Sequence, residues 1–277
     1  MATDTLIAPQ PGAILSENLL ATDLRRHTIE AKLLGGSREL IVYVPPMYDA
    51  EPERRFPVLY MQDGQNLFDP ATSYVAGRPW FLDQAAEAGI RDGHIEPVII
   101  VGVSHAGDKR IDEYTPTKDS KRNGGKSAKY AQALIDDLKP FIDTEYRTLP
   151  DPTNTGIGGS SLGGLVSLWI SLTNPDVFGR VAAMSPSIWW DRRMIVRLAE
   201  KIQPKPRLSV WLDIGTAEGG PTLADARQMR ETLIERGWIE HMDLQYMEAE
   251  GGIHDEAAWG QRSRPMLEFL FPNQKVL

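Results

Sequence analysis

Short apolar runs rich in valine and isoleucine alternate along this chain with longer stretches in which apolar residues recur every three to four positions. The first pattern suits a strand buried on both faces, and the second is the signature of an amphipathic helix. The runs predict strands at His27–Leu34, Glu39–Val44, Pro57–Met61, Val98–Val103, Thr155–Gly158, Val181–Met184, Leu208–Ile214 and Leu244–Met247. Ala131, Leu134, Ile135, Leu138 and Ile142 share one helical face, and further helices are predicted over 192–202, 222–236 and 256–270. Strands alternating with helices imply an α/β fold with a mostly parallel sheet of about eight strands, flanked by helices. The first two strands flank Leu34-Gly35-Gly36-Ser37 and read as an antiparallel hairpin.

Two segments stand outside this alternation. Residues 1–22 carry Pro9 and Pro11 with weak periodicity and are expected to form an N-terminal arm on one domain spanning 23–277. Ala106 to Lys126 is polar and broken by Gly107, Pro116, Gly124 and Gly125, so it is expected to be a long loop. A loop at the C-terminal end of a buried strand is often functional; the alternative is a solvated insertion.

Composition narrows the chemistry. The absence of cysteine excludes disulfides, thiolate metal sites and a cysteine nucleophile. A formal charge of −8 argues against nucleic-acid binding, which needs a basic face. No run approaches the ~20 apolar residues of a membrane span, so no membrane association is expected. Met1-Ala2-Thr3-Asp4-Thr5-Leu6 lacks a basic segment leading into an apolar core; no secretory leader is read there, and a cytoplasmic location is expected. An oligomeric state is not encoded in any visible pattern, and a homo-oligomer stays open.

The chemistry concentrates at Gly159-Ser160-Ser161-Leu162-Gly163-Gly164. Read as Gly-x-Ser-x-Gly, it places Ser161 on a sharp turn between the strand at 155–158 and an apolar helix opening at Leu162. Such a turn exposes a serine hydroxyl beyond the carboxyl end of a strand, where sites in parallel sheets gather. Ser160 is the alternative nucleophile, but Leu162 would then stand where the second glycine belongs. A glycine-rich phosphate loop is the competing reading of the turn. In the order nucleophile, acid, base, the histidine follows the last strand. Of five histidines, His254 lies there, in Gly251-Gly252-Ile253-His254-Asp255-Glu256; His105, also at a strand end, is the competitor. The acid should follow the strand before, where Glu218 is the first carboxylate clear of it, with Asp213 inside the strand as the alternative. The backbone N–H of Leu162 and a turn at Gly64 and Gln65 are the candidate oxyanion donors. Asn123-Gly124-Gly125-Lys126-Ser127 ends like a phosphate-binding loop but has Ser120 where a glycine is required, and no HExxH occurs. Neither a metal nor a cofactor is expected.

At this point the chain resembles the putative esterase family of α/β-hydrolases, which includes esterase D-like, feruloyl esterase and enterochelin (ferric siderophore) esterase-related proteins. The matching stretches are Asp63–Asp69, Arg110–Pro116, Tyr146-Arg147-Thr148, Gly159–Gly164, Pro175–Gly179, Ser185-Pro186-Ser187-Ile188-Trp189-Trp190 and the segment around His254, spread over about 25 to 272. The resemblance implies an α/β-hydrolase catalytic domain and a serine carboxylic-ester hydrolase with a Ser161–Glu218–His254 triad. Related sequences often carry Asp at the acid position, so Glu218 departs from the family habit. The elbow and the Tyr-Thr-Pro segment are more similar to the siderophore-esterase side than to the esterase D branch. A small-molecule ester substrate is implied. Arg110, Tyr114, Trp189 and Trp190 are expected to border the pocket, with the tryptophans alternatively in the core. The basic loop residues Lys109, Arg110, Lys118, Lys121 and Arg122 would favour anionic substrates. An acyltransferase, a siderophore-lactone esterase and a non-catalytic binding protein on the same scaffold are the alternatives.

Overall fold

The structure, a computed structural model, describes residues 24–273. The expected arm at 1–22 lies outside the described residues. Eight strands form one sheet in the order β1-β2-β4-β3-β5-β6-β7-β8. They are β1 (Leu24–Ala31), β2 (Gly36–Tyr43), β3 (Val58–Gln62), β4 (Ile99–Val103), β5 (Thr155–Ser160), β6 (Arg180–Met184), β7 (Ser209–Gly215) and β8 (Leu244–Ala249). Pairing is antiparallel from β1 to β2 and from β2 to β4, and parallel between all other neighbours. The hairpin is present, but β1 starts three residues before the predicted His27 and stops at Ala31, because a 3-10 turn over Lys32–Leu34 follows.

The side chains of each strand divide by the two-residue period of a pleated strand. Leu40, Val42, Val58, Tyr60, Ile99, Val101, Val103, Val181, Ala183, Val210 and Leu212 pack into the core on one face. Their neighbours Ile41, Tyr43, Leu59, Met61, Ile100, Ala182, Met184 and Trp211 pack into the core on the other. Apolar residues at consecutive positions therefore signal helices above and below. The helices are α1 (Leu82–Arg91), α2 (Arg110–Tyr114), α3 (Ser127–Ala133) and α4 (Lys139–Glu145), the last two joined by a π-helical turn at Leu134–Leu138, then α5 (Leu162–Thr173), α6 (Trp190–Ala199), α7 (Thr222–Glu235) and α8 (Glu256–Leu270). Leu82, Ala86, Met266, Leu267 and Leu270 of α1 and α8 cover one face; α3, α5, α6 and α7 supply apolar residues to the other.

Helix α1 is an element the hydrophobic pattern did not announce. Its stretch is rich in small and polar residues, and it buries Leu82, Ala86 and Gly89. The segment Ala106–Lys126 is not one loop either: it contains a 3-10 turn at Gly107–Lys109 and α2. Glu113 of α2 meets Arg38 of β2 at 2.6 Å, with both side chains buried, which seats the segment on the antiparallel part of the sheet.

Candidate active site

The carboxyl ends of β3, β5, β6 and β7 point the same way, and the turns leaving them converge. Ser161 follows β5 with φ 57° and ψ −122°, a left-handed conformation that L-residues rarely take. It is held there from both sides. Its N–H donates to Met184 O at 3.0 Å, and its carbonyl accepts from Ser187 N–H at 2.9 Å and Leu165 N–H at 3.0 Å. The glycines around it have no room for a side chain: a Cβ on Gly159 would lie 2.9 Å from Gln62 Cβ, and one on Gly164 3.0 Å from Gly159 O. Leu162 is the first residue of α5, where N–H groups have no intrahelical acceptor and the helix dipole is positive.

The turn after β3 carries Gly64 and Gln65 in a 3-10 turn, Gly64–Asn66, entered through Asp63 at φ 57°. A Cβ on Gly64 would sit 2.4 Å from Gly102 C, so the turn rests directly on the backbone of β4. Asp63 is clamped by Arg110, whose Nε and Nη2 each donate to the carboxylate at 2.8 Å.

Beyond β7, Glu218 Oε2 accepts from His254 Nδ1 at 2.7 Å. The Glu218 side chain is buried and that of His254 is 41% exposed. Glu218 Oε1 accepts from the Gly215 N–H at 2.9 Å and from the Ser185 hydroxyl. Burial alone would raise the Glu218 pKa, but the hydrogen bonds from His254, Ser185 and Gly215 outweigh it and hold the carboxyl below its ordinary range. An ionised carboxylate only accepts, so His254 carries its proton on Nδ1 and leaves the Nε2 lone pair free as a base. The imidazole stands edge-on to Trp259 with ring centres 4.9 Å apart.

Ser161 and His254 open onto one cavity of about 470 Å³, lined also by Asp63, Asn66, Tyr74, Val75, His105, Arg110, Ser160, Asp255, Glu256 and Trp259. A base paired with a carboxylate, beside a half-buried serine at a helix N-terminus, is equipment for acyl transfer. Among the described residues no group of three or more His, Asp or Glu is placed to hold a metal ion.

The other candidates are distributed differently. Asp213 is fully buried and binds Trp211 Nε1 at 2.7 Å and Arg262 at 3.3 Å. His105 lines the cavity, but its Nδ1 accepts the Gly107 N–H at 2.9 Å, and burial lowers its pKa. Of the four expected pocket residues, Arg110 lines the cavity. Tyr114 lies beneath it, fully buried, with its hydroxyl accepting the Asp63 N–H at 3.2 Å. Trp190 is in the core, its Nε1 donating to Thr117 O at 2.9 Å, and Trp189 packs under the Arg122 guanidinium instead of forming a wall. Because Asp63 neutralises Arg110, the expected preference for anionic substrates loses its nearest charge. Burial, with Asp255 and Asp63 nearby, lifts the Glu256 pKa, so this lining carboxyl is the readier to take a proton. Tyr74, Val75, Glu256 and Trp259 line the cavity without having been singled out in the sequence. For Glu256 and Trp259 a signal existed, since the first turn of a helix that follows a base must face the same site.

A model of the family described as putative esterase matches residues 31–270. The iron(III) salmochelin esterase of Escherichia coli is 27% identical over 242 residues, 82% of this chain and 53% of the relative. The ferri-bacillibactin esterase BesA of Bacillus subtilis is 28% identical over 180 residues, 58% of each. The chain thus spans little more than half the length of these two relatives. Among solved structures, the BES protein from Bacillus cereus superposes with a TM-score of 0.73 at 22% identity, covering 94% of this chain and 99% of that one.

Proposed function

Because the chain belongs to the putative esterase family, we propose that it cleaves carboxylic esters through Ser161, Glu218 and His254 by way of an acyl-enzyme. It is a serine esterase with the α/β-hydrolase fold, and the proposal concerns which residues act and on what. The observation that carries it is the 2.7 Å bond between Glu218 and His254 at the cavity that Ser161 lines.

In this mechanism His254 Nε2 takes the Ser161 proton as Oγ attacks the ester carbonyl. Glu218 holds the imidazole in the required tautomer and stabilises its charged form. The developing oxyanion is met by the Leu162 N–H and by an N–H of the Gly64-Gln65 turn. His254 then returns the proton to the leaving alcohol, and water, activated the same way, hydrolyses the acyl group from Ser161. Substrates are small-molecule esters, and siderophore lactones belong in the first panel to be assayed because two relatives are named salmochelin and ferri-bacillibactin esterases.

The test is Ser161→Ala on a short aryl ester. The triad acts as a unit, so kcat should fall at least ~1,000-fold, and labelling by a fluorophosphonate probe should vanish. Activity near the parent level would overturn the assignment. Assay with added alcohols separates hydrolysis from acyl transfer to an acceptor.

A further inference from the structure

The geometry points to the Ser185-Pro186-Ser187 turn as a positioning clamp that sets the acid and the nucleophile against each other, an assignment that rests on the esterase reading above. The turn leaves β6, which lies between β5 and β7 in the sheet. It therefore stands between the turn that carries Ser161 and the loop that carries Glu218.

Ser185 deals with the acid. Its hydroxyl accepts from Trp259 Nε1 at 3.0 Å and from Arg262 Nη2 at 2.8 Å. Indole and guanidinium groups only donate, so the hydroxyl's single proton is left for Glu218 Oε1. Its N–H faces Asp213, with Oδ1 at 3.1 Å and the carbonyl at 3.0 Å. The residue adopts φ 40°, a conformation kept only where the surroundings impose it. Pinning Oε1 fixes the plane of the carboxylate, which aims Oε2 at the imidazole.

Ser187 deals with the nucleophile. Its N–H donates to Ser161 O at 2.9 Å, and its buried hydroxyl lies 3.4 Å from Ser161 Oγ. Pro186, with its fixed φ, is the only residue between them. One three-residue turn thus holds both reacting partners of His254, and neither serine lines the cavity that would take substrate.

Ser185→Gly removes the hydroxyl and is at home at φ 40°, so it adds no backbone strain, and a thermal melt confirms that the variant is folded before its kinetics are read; Ser185→Ala is its companion. In the glycine variant kcat should fall on the order of 100-fold, the effect of a small misplacement of a catalytic group, while KM changes less than threefold. Ser187→Ala should slow fluorophosphonate labelling about fivefold, the rate equivalent of one neutral hydrogen bond. The readout independent of turnover is the low-field proton resonance of His254 Hδ1, recorded without substrate. It should shift or broaden in Ser185→Gly. If that resonance and kcat both stay at parent values, the clamp is overturned. Failure of the esterase reading looks different: Ser161→Ala would keep activity, whatever Ser185 does.

Discussion

At the scale of single residues, two carboxylates stand near the end of β7 and have opposite characters. Glu218 is kept ionised by its donors and touches His254; Asp213 is buried, binds Trp211 and Arg262, and is pushed up to about 6 by burial against the opposing pull of Arg262. Glu218→Gln should cut kcat roughly 1,000- to 10,000-fold, because the amide favours the wrong imidazole tautomer. Asp213 should appear in stability instead. Its folded pKa lies above the unfolded 3.8, so the folded state holds an extra proton between about 4 and 6, and stability from this group falls as pH rises through that window. The range amounts to ~3 kcal/mol. Glu218, with a lowered pKa, runs the other way, losing stability as pH falls below its ordinary range. Urea unfolding of parent and Asp213→Asn between pH 4 and 7 isolates the Asp213 share as a difference curve; a flat difference would remove it. The order of Ser161, Glu218 and His254 along the chain was readable from the sequence because an elbow, an acid and a base follow successive strand ends. Tyr114 was not, because an aromatic residue in a polar stretch looks like pocket lining until its hydroxyl is seen bonded to buried backbone; for Trp190 the core was the alternative reading, and the structure takes it.

At the scale of elements, the glycines of the turns report how closely segments meet. Gly64 shows it most directly, since its Cα rests against the backbone of β4. Gly64→Ala should cost about 1 to 3 kcal/mol as an overpacked contact, lowering Tm by several degrees. It should also depress kcat beyond that loss, because the displaced turn is the proposed second oxyanion donor. Thermal melts and kinetics on the same sample test both; an unchanged Tm would mean that the turn can slide away from Gly102. The buried strands were legible because both faces are covered and their residues are uniformly apolar. Helix α1 and α2 were not. The first presents mainly small residues to its neighbours, and the second is held by a buried Arg38–Glu113 ion pair that no periodicity can announce.

At the scale of the whole molecule, the site draws on chain segments from Asp63 to Trp259, so no contiguous piece contains it. The parallel order of the sheet makes this workable, since every crossover returns the chain to the same end. Among the described residues no helix is long and apolar enough to cross a membrane. The position of β8 has a further consequence. It is an edge strand, with β7 as its one strand neighbour among the described residues, and the segment that leaves it carries His254. Outer strands open at lower free energy than central ones, and Ser161 sits on the turn that follows β5, well inside the sheet. Mild denaturant should therefore detach the base while the nucleophile is still in place. The catalyst would fall silent before the protein comes apart, with hydrolysis lost at a lower urea concentration than far-UV circular dichroism. Superimposable transitions would show that β8 and the centre of the sheet melt as one.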